Sequence, residues 1–169
     1  MSLRTRNYRL PLFLLAALVV LADRLSKLWI VAHINSGFAI TVIPGTFRLT
    51  HVLNTGAAFS LFADSLSPLA VRNALIAFSV LAVVIVFVML WRAARAVDPT
   101  SVAFALILGG AIGNLYDRIE LGHVIDFLEV HIVHYHWPDF NIADSCIVIG
   151  ACLLVLEIFR PHPSQIKYK

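Results

Sequence analysis

The chain has 169 residues, of which 60% are hydrophobic and 14% are charged, whereas about a quarter of the residues in an average soluble domain are charged. This excess of apolar side chains excludes an ordinary soluble globule and predicts lipid around much of the protein. The net charge of +3 is too small to indicate nucleic-acid binding. Cys146 and Cys152 lie in an apolar run at a spacing that turns them away from each other on a helix, so no disulfide is expected.

Four apolar segments approach the length of about 20 residues that a spanning helix needs. We predict transmembrane helices over about residues 10–34, 69–91, 101–119 and 142–159. The first segment follows basic residues as a signal peptide does, but its apolar character resumes after Asp23 and Lys27, which favours an uncleaved anchor. Without an internal repeat or a soluble domain boundary, residues 1–169 are predicted to form a single integral-membrane domain.

The orientation follows from the basic residues, since Lys and Arg in short flanking loops stay on the cytoplasmic side. Eight of them flank the two termini and the second connection: Arg4, Arg6, Arg9, Arg92, Arg95, Arg160, Lys167 and Lys169. The first and third connections, about residues 35–68 and 120–140, hold only Arg48. Both termini are therefore predicted to be cytoplasmic and both longer connections to lie outside.

The first outer connection has the pattern of β-strands. Apolar residues alternate with smaller or polar ones over residues 38–42, Pro44-Gly45 supplies a turn, and an alternating apolar pattern resumes over residues 47–53. A small β-sheet on the outer membrane surface is predicted.

Polar residues within the predicted spans all fall at one outer level. They are Asp23 and Lys27 in helix 1, Asn114, Asp117 and Arg118 in helix 3, and Asn141 and Asp144 at the start of helix 4. An ionisable side chain near the bilayer centre costs about 2.5 to 3.5 kcal/mol on insertion scales, so such residues usually face a partner, a cavity or a reaction. This shared depth indicates a common polar site.

Each of these groups also has a purely structural interpretation. Asp23 and Lys27 are spaced as an ion pair that braces one helical face. Adjacent charges in helix 3 can neutralise each other behind the Gly109-Gly110-x-x-Gly113 stretch, which allows close helix contact. Asn141 with Asp144 can be an N-cap followed by an acidic first turn.

Asp126 in the second outer segment favours a catalytic site, because the connection to helix 4 can bring it beside Asp144. Two close carboxylates retain one proton at moderate pH. The ionised member can then activate water while the protonated member polarises the attacked carbonyl. The spacing is suggestive of acid/base chemistry and does not by itself establish it.

Other chemistries have weaker support. His131, His134 and His136 are potential ligands, but no catalytic metal signature accompanies them, so they are interpreted as surface or interfacial histidines and no metal is predicted. A Ser/Lys nucleophile is disfavoured because Ser26 and Lys27 are adjacent and point to different helix faces.

Five motifs occur in order along the chain: Asp23-x-x-x-Lys27, Asn54-Thr55-Gly56-Ala57-Ala58-Phe59, Gly110-Ala111-x-Gly113-Asn114-x-x-Asp117-Arg118, Val124-Ile125-Asp126-Phe127 and Phe140-Asn141-Ile142-Ala143-Asp144. In these motifs the chain resembles the lipoprotein signal peptidase (signal peptidase II) family over about residues 12–160. The resemblance implies a four-helix bacterial inner-membrane aspartyl protease with an extracytoplasmic β-cradle, a second outer segment over the active site, and no cofactor.

The resemblance also implies the substrate and the roles of residues. The substrate would be a prolipoprotein with a diacylglyceryl group on its cysteine, cut before that cysteine at the membrane lipid surface. Cyclic peptides of the globomycin type would be inhibitors. Asp126 and Asp144 match the catalytic dyad. Around the dyad and substrate the resemblance places Asn54, Gly56, Asn114, Arg118, Asn141 and Ala143, with Asp23, Lys27 and Asp117 as structural polar residues.

The strongest rival class is a proton-coupled transporter or channel that relays protons through the same carboxylates. A transport path should distribute polar groups through the membrane. The inner halves of helices 2 and 4 are instead nearly uniformly apolar apart from Glu157. A structural membrane scaffold ranks third, since it does not explain aspartates in two separate outer segments. The sequence therefore favours the enzyme.

Overall fold

A computed structural model describes residues 7–56, 67–133 and 135–160. Four helices and four strands follow one another within them: α1 (Arg9–His33), β1 (Ala39–Ile43), β2 (Phe47–Asn54), α2 (Pro68–Ala93), α3 (Pro99–Glu120), β3 (Val124–Ile132), β4 (Tyr135–His136) and α4 (Ile142–Ile158). Each segment predicted to be helical is a helix, with ends close to those expected from the apolar runs. Some predicted motif and flanking residues lie outside the described ranges: Arg4, Arg6, Ala57, Ala58, Phe59, His134, Lys167 and Lys169.

The starts of α3 and α4 are encoded by capping boxes. Asp98 accepts a hydrogen bond from the backbone of Ser101, and the Ser101 hydroxyl accepts one from the backbone of Asp98. Asn141 and Asp144 form the same reciprocal pair at the start of α4. Each box satisfies backbone N–H groups that have no partner within the helix. The predicted N-cap of α4 is confirmed, and it uses two of the predicted site residues.

The surface of the helices is that of a membrane protein. Within the described ranges, α2 and α3 are long and apolar enough to cross a membrane. Large apolar side chains are exposed on α2, α1 and α4, among them Phe78, Leu18 and Leu156. Exposure of these apolar side chains to water would cost free energy, whereas contact with lipid tails does not.

α3 is the central helix and contacts α1, α2 and α4. Its glycines allow this close approach, as predicted. A Cβ on Gly113 would lie 2.7 Å from Oδ2 of Asp23, and a Cβ on Gly109 would lie 2.6 Å from the backbone oxygen of Ala16. The missing side chains thus let α1 lie directly against α3 at the level of the polar residues.

The four strands form one antiparallel sheet in the order β1-β2-β3-β4. The sheet predicted for residues 38–53 is present, and β3 and β4 add two strands that were not predicted. β3 pairs with β2, so that Val52 lies opposite Asp126. Ile125 and Phe127 of β3 pack with Ile30 and Ile34 at the end of α1. This packing fastens the sheet to the helices and determines where Asp126 lies.

Candidate active site

Asp126 lies on β3 and is almost completely buried, with 2% of its surface exposed. Nδ2 of Asn54, at the end of β2, donates a hydrogen bond of 2.9 Å to Oδ2 of Asp126. Nδ2 of Asn141, which caps α4, donates one of 2.8 Å to Oδ1. Each carboxylate oxygen thus has an amide donor from a different element, as a buried polar group requires.

Asp144 lies in the first turn of α4, where the helix dipole favours a negative charge. Nδ2 of Asn114 on α3 donates a hydrogen bond of 2.7 Å to its Oδ1. Asn141 joins the two aspartates, because its side-chain oxygen accepts a bond of 2.9 Å from the Asp144 backbone while its Nδ2 reaches Asp126. The structure therefore brings the two predicted catalytic residues into one hydrogen-bond network.

The environment of Asp126 moves the pKa of its carboxyl group towards neutral pH. Burial is the main cause that raises the pKa of Asp126 to about 6, and the negative charge of Asp144 contributes in the same direction. The hydrogen bonds from Asn54 and Asn141 act in the opposite direction, because they favour the charged form of the carboxylate. A carboxyl group with this pKa can both donate and accept a proton under physiological conditions.

A buried cluster of charged side chains on α1 and α3 lies beside the site. Nζ of Lys27, itself fully buried, lies 2.7 Å from Oδ2 of Asp23 and 2.8 Å from Oδ2 of Asp117. The predicted Asp23–Lys27 pair is confirmed. Asp117 pairs with Lys27 and lies 3.7 Å from Nη1 of Arg24, both on α1, whereas Arg118 donates to the backbone oxygen of Asn114.

The cluster also holds the elements that carry the aspartates. Asp117 accepts a hydrogen bond of 3.3 Å from the backbone of Ile125, the residue before Asp126. Asp23 accepts one of 2.9 Å from the backbone of Ala143, the residue before Asp144. Asp117 thus holds the backbone next to Asp126, and Asp23 holds the backbone next to Asp144. Both residues belong to the ion-pair cluster around Lys27.

The remaining predicted residues take different positions. Gly56 has φ of +85° and donates from its backbone to Oδ1 of Asn54, so it orients that amide. A Cβ at Gly56 would also lie 2.5 Å from the Leu75 side chain.

Ala143 is fully buried and its backbone lies against Gly110, which makes it a helix-packing residue in this structure. The Arg118 guanidinium is half-buried and within electrostatic reach of both aspartates.

Arg72, near the start of α2, is not among the site residues predicted from the sequence. Arg72 lines a small cavity together with Asn54 and Arg118, and its Nη2 donates a hydrogen bond of 3.1 Å to the backbone oxygen of Ile119. The signal was available, because an ionisable residue inside a predicted span is by default a functional candidate. Two arginines therefore border the cavity beside Asn54.

A second group of polar residues lies further along β3. Arg48 of β2 binds both oxygens of Glu129, with two bonds of 2.5 Å. This ion pair lowers the pKa of Glu129 to about 2. His131 and His136 also contact Glu129 and are partly exposed, at 34% and 49% of their side chains, in keeping with the predicted surface location. No local spacing predicts the Arg48–Glu129 pair, which joins β2 to β3.

Comparison with known proteins identifies the family. Residues 15–160 match the family model described as signal peptidase (SPase) II. A lipoprotein signal peptidase of Pseudomonas aeruginosa is 45% identical over 92% of each chain. One from Pseudomonas putida is 46% identical over 93% of this chain and 91% of the relative, and one from Solibacter usitatus is 40% identical over 86% and 88%.

Two solved structures described as bacterial membrane enzymes have the same fold. One is 25% identical with a TM-score of 0.81 and covers 99% of both chains. The other is 27% identical with a TM-score of 0.82 and covers 95% of this chain and all of its own. Because the family model spans most of the sequence and the curated relatives match along nearly their full lengths, this chain belongs to the signal peptidase II family.

Proposed function

We propose that this protein is a membrane aspartyl endopeptidase that removes signal peptides from lipoprotein precursors, with Asp126 and Asp144 as its catalytic pair. Membership of the signal peptidase II family supports the protease activity and the class of substrate. The observation that carries the aspartyl mechanism is that Asn141 donates to both carboxylates, through Nδ2 to Asp126 and through its backbone N–H to Asp144. The comparisons give no support to the alternative, a proton-coupled transporter or channel.

In the resting enzyme the pair holds one proton, and we assign it to Asp126. Burial raises the pKa of Asp126 and so favours its neutral form, and Asp144 lies in the first turn of α4. Asp144 then takes a proton from the attacking water, while Asp126 donates its proton to the carbonyl oxygen of the scissile peptide bond. The water oxygen bonds to the carbonyl carbon to give a gem-diol. Asp144 passes its proton to the leaving nitrogen as the C–N bond breaks, and a diol hydroxyl returns a proton to Asp126, which frees a carboxyl and an amine end.

The neighbouring amides and arginines would bind the substrate backbone. Asn54 and Asn114 present polar groups beside the two aspartates. Peptide groups that leave water need such partners. Arg72 and Arg118 line the adjoining cavity and would fix its charge. Gly56 orients the Asn54 amide, and Ala143 contributes to the packing of α4 against α3.

We further propose that the substrate carries a diacylglyceryl group on its cysteine and is cut before that cysteine. The helices expose apolar side chains to lipid at the same level at which α1, α3 and α4 hold the polar site. The acyl chains of the substrate would insert into the lipid and hold its cysteine at the boundary between the lipid and the polar site. The preceding peptide bond would then lie at Asp126 and Asp144. Membrane lipid and globomycin-type cyclic peptides are proposed partners of the same surface.

We propose four membrane spans in a single domain of residues 1–169, in a bacterial cytoplasmic (inner) membrane, with both termini cytoplasmic and the active site near the outer face. The apolar lengths of α2 and α3 and the exposed apolar faces of α1 and α4 support the spans. The distribution of basic residues supports the orientation.

The test is incubation of the purified protein with a lipid-modified lipobox peptide and with its unmodified counterpart. We expect cleavage of the modified peptide before its cysteine and little or none of the unmodified one. Cleavage of neither would contradict the proposed activity. Equal cleavage of both would contradict only the requirement for the lipid.

A further inference from the structure

The cluster of Glu129, His131 and His136 is outside the proposed mechanism, yet its side chains converge. His131 lies directly opposite His136 in the antiparallel pairing of β3 with β4. Glu129 precedes His131 by two residues on the same strand, so both side chains project from one face of the sheet. We propose that these three residues form a binding site for a divalent transition-metal ion of the Zn²⁺ class.

The ligand atoms meet at one point. Nε2 of His131 lies 2.8 Å from Oε1 of Glu129, and Nε2 of His136 lies 2.9 Å from the same oxygen. All three ligand atoms lie within 4.8 Å of one another. Imidazole nitrogen and carboxylate oxygen are typical ligands of zinc, with bonds of about 2.0 to 2.2 Å. Rotation of the two partly exposed imidazole rings would make room for an ion among them.

A metal ion also accounts for the crowding of three nitrogen atoms around this oxygen. Nη2 of Arg48 donates to Oε1 at 2.5 Å, so that Arg48 and two histidines converge on one atom. A carboxylate oxygen has two lone pairs and cannot accept three good hydrogen bonds. Neutral histidines can instead turn both Nε2 lone pairs to a shared cation, with Oε1 as the third ligand.

Arg48 would then be a positioning residue behind the ligands. Its Nε holds Oε2 of Glu129 at 2.5 Å, which fixes the carboxylate as outer hydrogen bonds do around many metal sites. Its positive charge opposes cation binding, but the nearby Asp139 carboxylate offsets it, with Oδ2 lying 4.0 Å from Nε2 of His136. The partly exposed histidines leave the remaining coordination positions open to water.

The experiment uses the full-length protein without an affinity tag, stripped with a chelator in detergent and titrated with Zn²⁺ by calorimetry and with Co²⁺ by absorption. We expect one ion per chain and cobalt absorption bands that report nitrogen and oxygen ligands. His131→Ala, His136→Ala and Glu129→Gln should each weaken binding by at least about tenfold.

His33→Ala is the matched control, because His33 is an exposed histidine on α1 whose ring bonds to the backbone of Trp29. It should bind Zn²⁺ as the unchanged protein does. Retained lipopeptide cleavage by each variant establishes that it is folded. Zn²⁺ binding that survives either histidine substitution, or the absence of stoichiometric binding by the unchanged protein, would overturn the proposal.

Discussion

Nδ2 of Asn141 donates a hydrogen bond of 2.8 Å to Oδ1 of Asp126, which joins the cap of α4 to the middle of the sheet. The same amide holds the N-terminus of α4 through its oxygen. One side chain therefore determines where the helix begins and how the Asp126 carboxylate is oriented. This dual role makes the geometry of the aspartate pair dependent on correct docking of β3 against α4.

The two aspartates should act as one unit. Asp126→Asn and Asp144→Asn keep the shape of each side chain but remove its ability to exchange a proton, so each should lose nearly all turnover. The double variant should lose little more, because effects of groups that act together are non-additive. Turnover and lipopeptide binding of the purified, folded variants are the measurements. Near-normal cleavage by either single variant would eliminate the paired mechanism.

Asn141→Ala should separate the capping role from the catalytic role when it is compared with Asp98→Ala. Both residues anchor a capping box, so each substitution should lower the free energy of unfolding by about 1 kcal/mol. Only Asn141→Ala removes a hydrogen bond to Asp126, and it should lower kcat/KM by about 10- to 100-fold. Thermal unfolding and cleavage rates test this. An equal loss of activity in Asp98→Ala would argue for stability alone.

Asn54→Ala should shift the pH dependence of cleavage upward. If Asp126 must be protonated, kcat/KM falls as the pH rises through its pKa of about 6. The Asn54 amide favours the ionised carboxylate, so its removal raises that pKa and moves the alkaline limb to higher pH. The apparent values belong to the aspartate pair. Asn35→Ala, an exposed residue of the same connection, is the control and should leave the limb in place. A limb that moves to lower pH in Asn54→Ala would contradict the assignment.

Asp117→Asn should affect stability more than chemistry. The substitution leaves buried Lys27 with Asp23 as its ion-pair partner, and it should cost about 1 to 3 kcal/mol of unfolding free energy. Glu157→Gln removes a more exposed pair with Arg160 and should cost less than about 1 kcal/mol. Unfolding curves and turnover per folded molecule are to be compared. A folded Asp117→Asn protein that binds substrate normally but does not cleave it would place Asp117 in the catalytic group.

The orientation can be tested with reporter fusions. Reporters after Lys169 and between Arg92 and Asp98 should respond as cytoplasmic, whereas one inserted near Asp64 should respond as external, because basic residues are retained inside. Activity of matched enzymatic reporters in intact cells is the measurement. An external C-terminus would place the aspartates near the inner face of the membrane.

Local sequence patterns determined the helices, the start of α4 and the ion pair within α1. These features depend on residues close together in the sequence: the length of each apolar run, the Asn141–Asp144 box, and the spacing of Asp23 and Lys27. They can therefore be predicted without knowing how the helices and strands pack. The ordered motifs likewise identified the family, and they are the basis on which Asp126 and Asp144 are proposed as the catalytic pair.

Only the tertiary structure decided which of these groups meet. Asn54 reaches Asp126 across 72 positions of the sequence, and Lys27 on α1 takes Asp117 on α3 as its second partner. β3 joins the sheet by pairing with β2, and this pairing also brings Arg48 and Glu129 together. Such contacts depend on how the elements pack and on which buried polar groups satisfy each other, and no local spacing specifies either.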